Sequence, residues 1–219
     1  MAPHEFIKPG NFSIREWVHS GKGNLWITWR EDQCDLLKPL ISCWVDIACN
    51  ELLSLSPDRD RRFMLMIDEL GALNSINSLE HLLTRGRKNG ICTVACLQSL
   101  AQLEHIYGPD KATILLSCFR NLVALGLAKA DSKTAEMVSK SLGEREVCRV
   151  QDSSSIGANG ISHGETAQVL KELLVLPGEL TSLPNLNGYL ALAEDEPVRR
   201  FIVNRKDYPQ IAEAILEEQ

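Results

Sequence analysis

Residues 61–73 read RRFMLMIDELGAL, five apolar side chains in a row followed by two adjacent carboxylates, Asp68 and Glu69. A run without alternation predicts a strand over residues 63–67 buried on both faces, as in the middle of a parallel sheet, with Arg61 and Arg62 at its water-facing start. Open α/β sheets hold their ligands at the carboxyl ends of the strands, so the acidic pair lies where chemistry is expected. The competing reading is a cap, in which Asp68 or Glu69 accepts from the first amides of a following helix. A second such end is ACLQS, where Gln98 follows an apolar run. A neutral amide both donates and accepts, so it can sense a terminal phosphate or hold an attacking water without competing for a metal; a plain helix start is the alternative. Between the two lies LTRGRKNG, with Arg85, Arg87 and Lys88. Cations at a helix end complement the helix dipole, and from charge alone that reading is favoured.

Elements that would position these residues alternate along the chain. NLWITW (24–29) reads as a strand and residues 35–55 as a long helix, with Leu36, Leu37, Leu40, Ile41, Trp44, Ile47 and Ala48 near helical spacing. Pro39 is tolerated if it falls in or near the first turn. After the 63–67 strand comes a helix near 77–88, with Leu79, Leu82 and Leu83 on one face and Asn89-Gly90 as its stop. ICTVACL (91–97) and NLVALGL (121–127) read as further buried strands, and Asp131 opens a helix that Gly143 closes. Strands separated by helices predict parallel crossovers and an α/β fold. The polar, Ser- and Gly-rich QDSSSIGANGISHGE (151–165) reads as a mobile loop. NGYLAL (187–192) and VRRFIV (198–203) predict a hairpin at the sheet edge, and the last stretch a short helix or frayed end.

Composition excludes some classes. The 219 residues are 44% hydrophobic and 24% charged, an ordinary soluble balance consistent with one domain, and the net charge of −6 offers no global attraction to nucleic acid. A basic footprint is missing at this level, so any such contact must come from a local patch or an assembled ring. Seven cysteines, lying mostly in apolar runs and without a C-x-x-C pair, predict free buried thiols in a reducing compartment and no zinc site. No apolar run reaches the roughly 18 residues that span a membrane.

Taken together, a buried strand ending in Asp-Glu, a helix ending in G-R-K-x-G and a buried strand ending in Gln-Ser resemble the second half of the motor domain of conjugative coupling proteins. These are the TraD/TraG-type ATPases of type IV secretion, within the wider RecA-like, FtsK-type group of hexameric DNA pumps. FSIREWV (12–18), LKPLISCWVDIA (37–48), GRKNGICTVACLQSLAQLEHIYG (86–108), LGEREV (142–147) and LVLPGELTSLPNLNGYLAL (174–192) are similar to family segments, so the likeness covers nearly the whole chain.

The resemblance implies a RecA-like P-loop NTPase core, a mostly parallel sheet flanked by helices, over residues 1–205, with 206–219 as a C-terminal helix or tail. It implies ATP and Mg²⁺ as cofactors. Asp68 would be the Walker B carboxylate that orients Mg²⁺ through its water shell, Glu69 the base that polarises the attacking water, and Gln98 the γ-phosphate sensor. Arg87 matches the arginine that reaches a neighbouring subunit's nucleotide, with Arg85 the weaker candidate. The partners implied are DNA, single- or double-stranded, in a ring channel, a relaxase or relaxosome, the secretion channel, and further copies in a homo-hexamer at the cytoplasmic face of the bacterial inner membrane. The sequence departs from the family at one point: it contains no G-x-x-x-x-G-K-[ST], and the nearest glycine-lysine, in HSGKGN around Lys22, lacks both the upstream spacing and the hydroxyl. The expectation is therefore the C-terminal part of a motor, inactive alone. A degenerate, non-catalytic docking module of the same fold is the alternative, as is another α/β binding domain in which the acidic pair only caps.

Overall fold

The computed structural model describes residues 10–157, 160–194 and 196–209. The chain divides after Arg120 into two compact units, each with its own apolar cluster.

The first unit opens with α1 (Ile14–Ser20), capped by Ser13, whose hydroxyl accepts from the Glu16 amide at 3.4 Å, and ended by Gly21 in the left-handed region. α2 (Cys34–Ser54) follows a short 3-10 turn, Glu31–Gln33. Its buried stripe is Ile41, Val45, Ala48, Cys49 and Leu52, the spacing of a single helical face. Pro39 stands in its second turn, just past the amides that lack helical partners. Leu36 and Trp44, expected on the apolar face, are exposed instead. The predicted strand over 24–29 does not form: no strand among the described residues pairs with it, and Ile27 and Trp29 pack against the core while Trp26 stands in solvent.

β1 (Phe63–Ile67) and β2 (Ile91–Ala95) pair in parallel, Phe63 opposite Ile91 and Ile67 opposite Ala95. They are joined through α3 (Leu79–Arg85), which buries Leu79 and Leu82. The expectation of burial on both faces fails. Phe63, Leu65 and Ile67 face the helices, and the Phe63 ring meets Trp17 edge-on at 5.4 Å, but Met64, Met66 and Val94 are exposed. Nothing among the described residues covers that face, and an unbroken apolar run cannot by itself say how many layers will be present. α4 (Leu100–Tyr107) and α5 (Pro109–Ser117) complete this unit, contributing Leu103, Ala112 and Leu115 to its core.

Polar side chains fix the connections. Asp46 of α2 accepts from the Ser78 amide at 2.9 Å and the Ser78 hydroxyl at 2.7 Å, Ser42 accepts from the Asn74 amide, and the Tyr107 hydroxyl from the Ile76 amide. Cys49 beside them has its thiol pushed up to about 12, chiefly by burial. It is the one fully buried cysteine; Cys43, Cys92, Cys96 and Cys148 are exposed, which corrects the expectation of buried thiols. A cysteine within an apolar run still alternates in and out with its element.

In the second unit β3 (Leu122–Leu125) pairs antiparallel with a later strand, so the predicted third parallel strand is corrected. α6 (Ser132–Leu142) begins at Asp131, whose carboxylate accepts from the Thr134 amide at 3.1 Å, and ends at Gly143, as the sequence predicts. Where a mobile loop was expected, β4 (Glu144–Gly157) and β5 (Gly160–Leu173) form a hairpin in continuous register from Glu144 opposite Leu173 to Gly157 opposite Gly160. Backbone ladders need no apolar side chains, so polarity alone did not exclude strands. A short helix, α7 (Pro177–Leu180), buries Leu180, and β6 (Asn187–Ala191) and β7 (Arg199–Ile202) make the predicted hairpin, with β7 at the edge of the β3-β6-β7 sheet. The predicted terminal helix falls mainly on 210–219, outside the described residues.

Candidate functional site

The carboxyl ends of β1 and β2 are stitched together. The Cys96 amide donates to the Ile67 carbonyl at 2.9 Å and the Leu70 amide to the Cys96 carbonyl at 3.0 Å, so Asp68 and Glu69 cross beside Cys96 with Gln98 two residues further on. Asp68 is exposed and its carboxylate has no hydrogen bond or ion pair among the described residues. Glu69 is half-buried. Its Oε1 accepts from the Gly71 amide at 3.1 Å and closes the 3-10 turn Leu70–Ala72. The capping role is thus realised for Glu69 and not for Asp68, and successive side chains diverge as a strand end requires. Gln98 is exposed, immediately before Ser99, which caps α4 by accepting from the Gln102 amide.

Gln102, in the first turn of α4, stands beside the same turn: its Oε1 and that of Glu69 both lie 2.9 Å from where a Cβ on Gly71 would stand, so a side chain there would displace the flexible ends of both.

Arg87 and Arg85 are elsewhere. Arg85 ends α3 and Arg87 sits in the 3-10 turn Gly86–Asn89, so both precede β2, at the amino end of the pair. Five strand residues, rising about 16 Å in all, separate that edge from Asp68. The structure therefore brings Asp68, Glu69 and Gln98 together and leaves Arg85 and Arg87 at the opposite edge of the same strands.

That edge is rigidly built. The Asp58 amide donates to the Lys88 carbonyl at 3.0 Å, the Arg61 guanidinium to the Asn89 carbonyl at 3.2 Å and the Phe63 amide to the Gly90 carbonyl at 2.9 Å. Arg61 is consequently half-buried rather than free in water. Asn89, fully buried, donates from Nδ2 to the Leu52 and Leu53 carbonyls at the end of α2. Asp58 accepts from the Asp60 and Arg61 amides, and these bonds, with the adjacent Arg61 charge, hold its carboxyl below the usual range. Around this frame Arg59, Arg62, Arg85, Arg87 and Lys88 line a hollow of about 900 Å³. The net charge averages over the chain, whereas folding gathers two separate basic stretches into a local patch.

Among the described residues no helix is long and apolar enough to cross a membrane, and no three His, Cys, Asp or Glu side chains gather as a metal cluster.

Comparison with known proteins identifies the family to which the chain is similar. Residues 5–204 match the type IV secretion-system coupling protein DNA-binding domain family. The chain is 33% identical over 210 residues to coupling protein TraD of Escherichia coli (strain K12), covering 92% of this chain and 29% of TraD. It is 30% identical over 149 residues to the conjugal transfer protein TraG of Agrobacterium fabrum (strain C58 / ATCC 33970), covering 67% of this chain and 22% of TraG. Among solved structures, the conjugative coupling protein TrwBdeltaN70 in its unbound monoclinic form superposes with a TM-score of 0.81 at 42% identity, covering 91% of this chain and 45% of that one. TrwB in complex with ADP and Mg²⁺ gives 0.78 at 41% identity, over 91% of this chain and 44% of that one. The chain spans under a third of TraD and somewhat under half of the TrwB chains. On these matches, which run through both compact units, the chain belongs to the family of type IV secretion-system coupling proteins.

Proposed function

We propose that this chain is the C-terminal part of the RecA-like ATPase motor of a coupling protein, which couples ATP hydrolysis to DNA transfer at the cytoplasmic face of the bacterial inner membrane. Residues 1–205 belong to the nucleotide-binding domain and 206–219 to a tail. The phosphate cradle is supplied by protein outside these residues, since the sequence has no G-x-x-x-x-G-K-[ST]. DNA in the channel of a homo-hexamer, a relaxase or relaxosome and the secretion channel are its partners.

The donors present suit Mg²⁺. Asp68 is an exposed carboxylate with no competing partner among the described residues, and Mg²⁺ is commonly held by one or two carboxylates together with water and substrate phosphates. When bound, the ion neutralises charge on the phosphates. Asp68 would hold the ion through water. Glu69, whose Oε1 accepts from the Gly71 amide, has its other carboxylate oxygen left to take a proton from water as general base. Gln98 donates toward the γ-phosphate. Arg87 offsets transition-state charge on the nucleotide of a neighbouring copy.

The observation that carries this reading is the placement of Arg87 at the far end of β1 and β2 from Asp68 and Glu69, beyond the reach of an arginine side chain. An Arg87 that acts on ATP must do so across a subunit boundary. In the full-length coupling protein, Glu69→Gln and Arg87→Ala rings should each be inactive, while mixed rings regain part of the turnover because some interfaces hold two intact partners. Co-assembled mixed rings without any recovery would refute action in trans. The bond from Glu69 to Gly71 favours a second reading, another α/β binding domain in which the acidic pair only caps. Unchanged turnover in Glu69→Gln would select it.

A further inference from the structure

Ser99 and Gln102 open α4 in the pattern S-x-x-Q, which by itself predicts a capping box: the serine hydroxyl accepts from the glutamine amide, and the glutamine side chain reaches back to the serine amide. Only the first half forms. The Ser99 hydroxyl accepts from the Gln102 amide at 3.3 Å, but the Gln102 side chain makes no hydrogen bond among the described residues. It lies instead over the 3-10 turn Leu70–Ala72, its Cβ 3.4 Å and its Oε1 2.9 Å from the point that a Cβ on Gly71 would occupy. Glu69 Oε1 lies 2.9 Å from the same point, so the two oxygens are separated by no more than twice that distance.

Glu69 is held on one side only. The Gly71 amide donates to its Oε1 at 3.1 Å, and no second donor is bonded to the carboxylate among the described residues. A general base must present one oxygen to its water in a fixed direction, and a single hydrogen bond leaves a carboxylate free to turn about its last torsion. The Gln102 amide is placed to prevent this. A half-turn about its terminal torsion exchanges oxygen and nitrogen at one position with little steric cost. Oxygen inward sets two acceptors beside one another; nitrogen inward gives an ionised Glu69 a charge-assisted donor, so the carboxylate selects the second orientation. Both residues have main-chain anchors. The Leu70 amide donates to the Cys96 carbonyl at 3.0 Å, and the Ser99 cap fixes the first turn of α4, so the approach of Gln102 to Glu69 is set before any ligand arrives.

We propose that Gln102 is a positioning residue for Glu69. Its Nε2 donates to Glu69 Oε1 beside the Gly71 amide, so that two donors hold that oxygen and Oε2 alone is directed at the substrate water. The proposal rests on the reading of Glu69 as general base and adds the residue that aims it.

Two variants separate positioning from capping. Gln102→Glu satisfies a capping box as well as glutamine does and suits a helix start, but it sets a second carboxylate beside Glu69. Gln102→Met keeps the length of the side chain and removes the donor. In the full-length coupling protein each should lower kcat roughly 10-fold or more, with KM for MgATP within about 2-fold, the scale of one lost hydrogen bond to a charged group. In a Glu69→Gln background, Gln102→Met should cost less than about 2-fold, because the carboxylate through which it acts is gone. An equal loss in both backgrounds overturns the proposal, as does a raised KM with unchanged kcat. So does a Gln102→Glu protein that keeps its turnover while Gln102→Met lowers the urea midpoint, which would leave capping as the whole role. A readout without turnover comes from the side-chain amide signals in nitrogen–proton correlation spectra of the 219-residue chain. The Gln102 pair, identified by its disappearance in Gln102→Met, should shift in Glu69→Gln, and an unmoved pair overturns the contact. If Glu69→Gln loses turnover while both Gln102 variants keep it, this proposal falls alone. If Glu69→Gln keeps its turnover, the general-base reading falls and takes the positioning role with it, so the two failures are distinguishable.

Discussion

Gly90 is the position at which one methyl group should disturb the basic edge most. Its φ of +77° is left-handed, and a Cβ there would stand 2.8 Å from the Arg61 carbonyl carbon and closer still to the carbonyl oxygen. Those are backbone atoms, so no rotamer change relieves the contact. Alanine in the left-handed region costs about 1 kcal/mol. Pushing Arg61 away also breaks or lengthens the bond from the Phe63 amide to the Gly90 carbonyl, worth about 1 kcal/mol, and strains the Arg61 contact with the Asn89 carbonyl, worth about 1 kcal/mol more. Gly90→Ala should therefore lose about 3 kcal/mol in urea unfolding followed by far-UV circular dichroism, with an unchanged denaturant slope. Gly90→Asn separates the causes. Asparagine tolerates positive φ but keeps the Cβ, so it should recover about 1 kcal/mol of the loss and no more. A neutral Asn variant would show that backbone conformation alone matters, and two variants within about 0.5 kcal/mol of the parent would refute the close packing of 61 against 90.

Leu79→Ala should cost about 2–5 kcal/mol by the same assay, because Leu79 is fully buried where α3 meets the core; a loss under 1 kcal/mol would place α3 outside the cooperative unit. Cys49 should resist alkylation at pH 8 while Cys43, Cys92, Cys96 and Cys148 react, and peptide mapping that finds Cys49 labelled in the native chain would contradict its burial. With its thiol at about 12 when folded and 9.0 as the ordinary value, the unfolded chain ionises first, so Cys49 should lower stability as pH rises from 9.0 toward 12; an unchanged profile in Cys49→Ala would count against this. Asp58 has the opposite sign: its carboxyl is depressed in the fold, so its contribution is present above its ordinary 3.8 and is lost as pH falls below it, and Asp58→Asn should flatten that acid limb.

Legibility in the sequence followed the range of the forces involved. Local signals were sufficient for the β1-α3-β2 succession, for Asn89-Gly90 as a stop and for the helix from Asp131 to Gly143, because caps and left-handed glycines act within one turn. The acidic pair and Gln98 were legible for the same reason: both stand one or two residues past an apolar run whose end is a local property. Hydrogen-bonding partners were not. Residues 24–29 have strand character but no strand to join among the described residues, 144–173 look like a loop in their middle but close a ladder, and Leu122–Leu125 found an antiparallel partner more than sixty residues later rather than a parallel one. Pairing is decided by which edges are available in space, which no window of residues contains. The same distinction separates the two halves of the site. From the sequence, Asp68, Glu69 and Gln98 were candidates because they end apolar runs, and Arg87 was a candidate through the family resemblance, but only the parallel register of β1 with β2 put Arg87 at the far end from the other three, and only the stitching of 58–63 to 88–90 gathered Arg59 and Arg62 around it. Residue type is carried by the chain, whereas the distance between charges far apart in sequence is set by the fold.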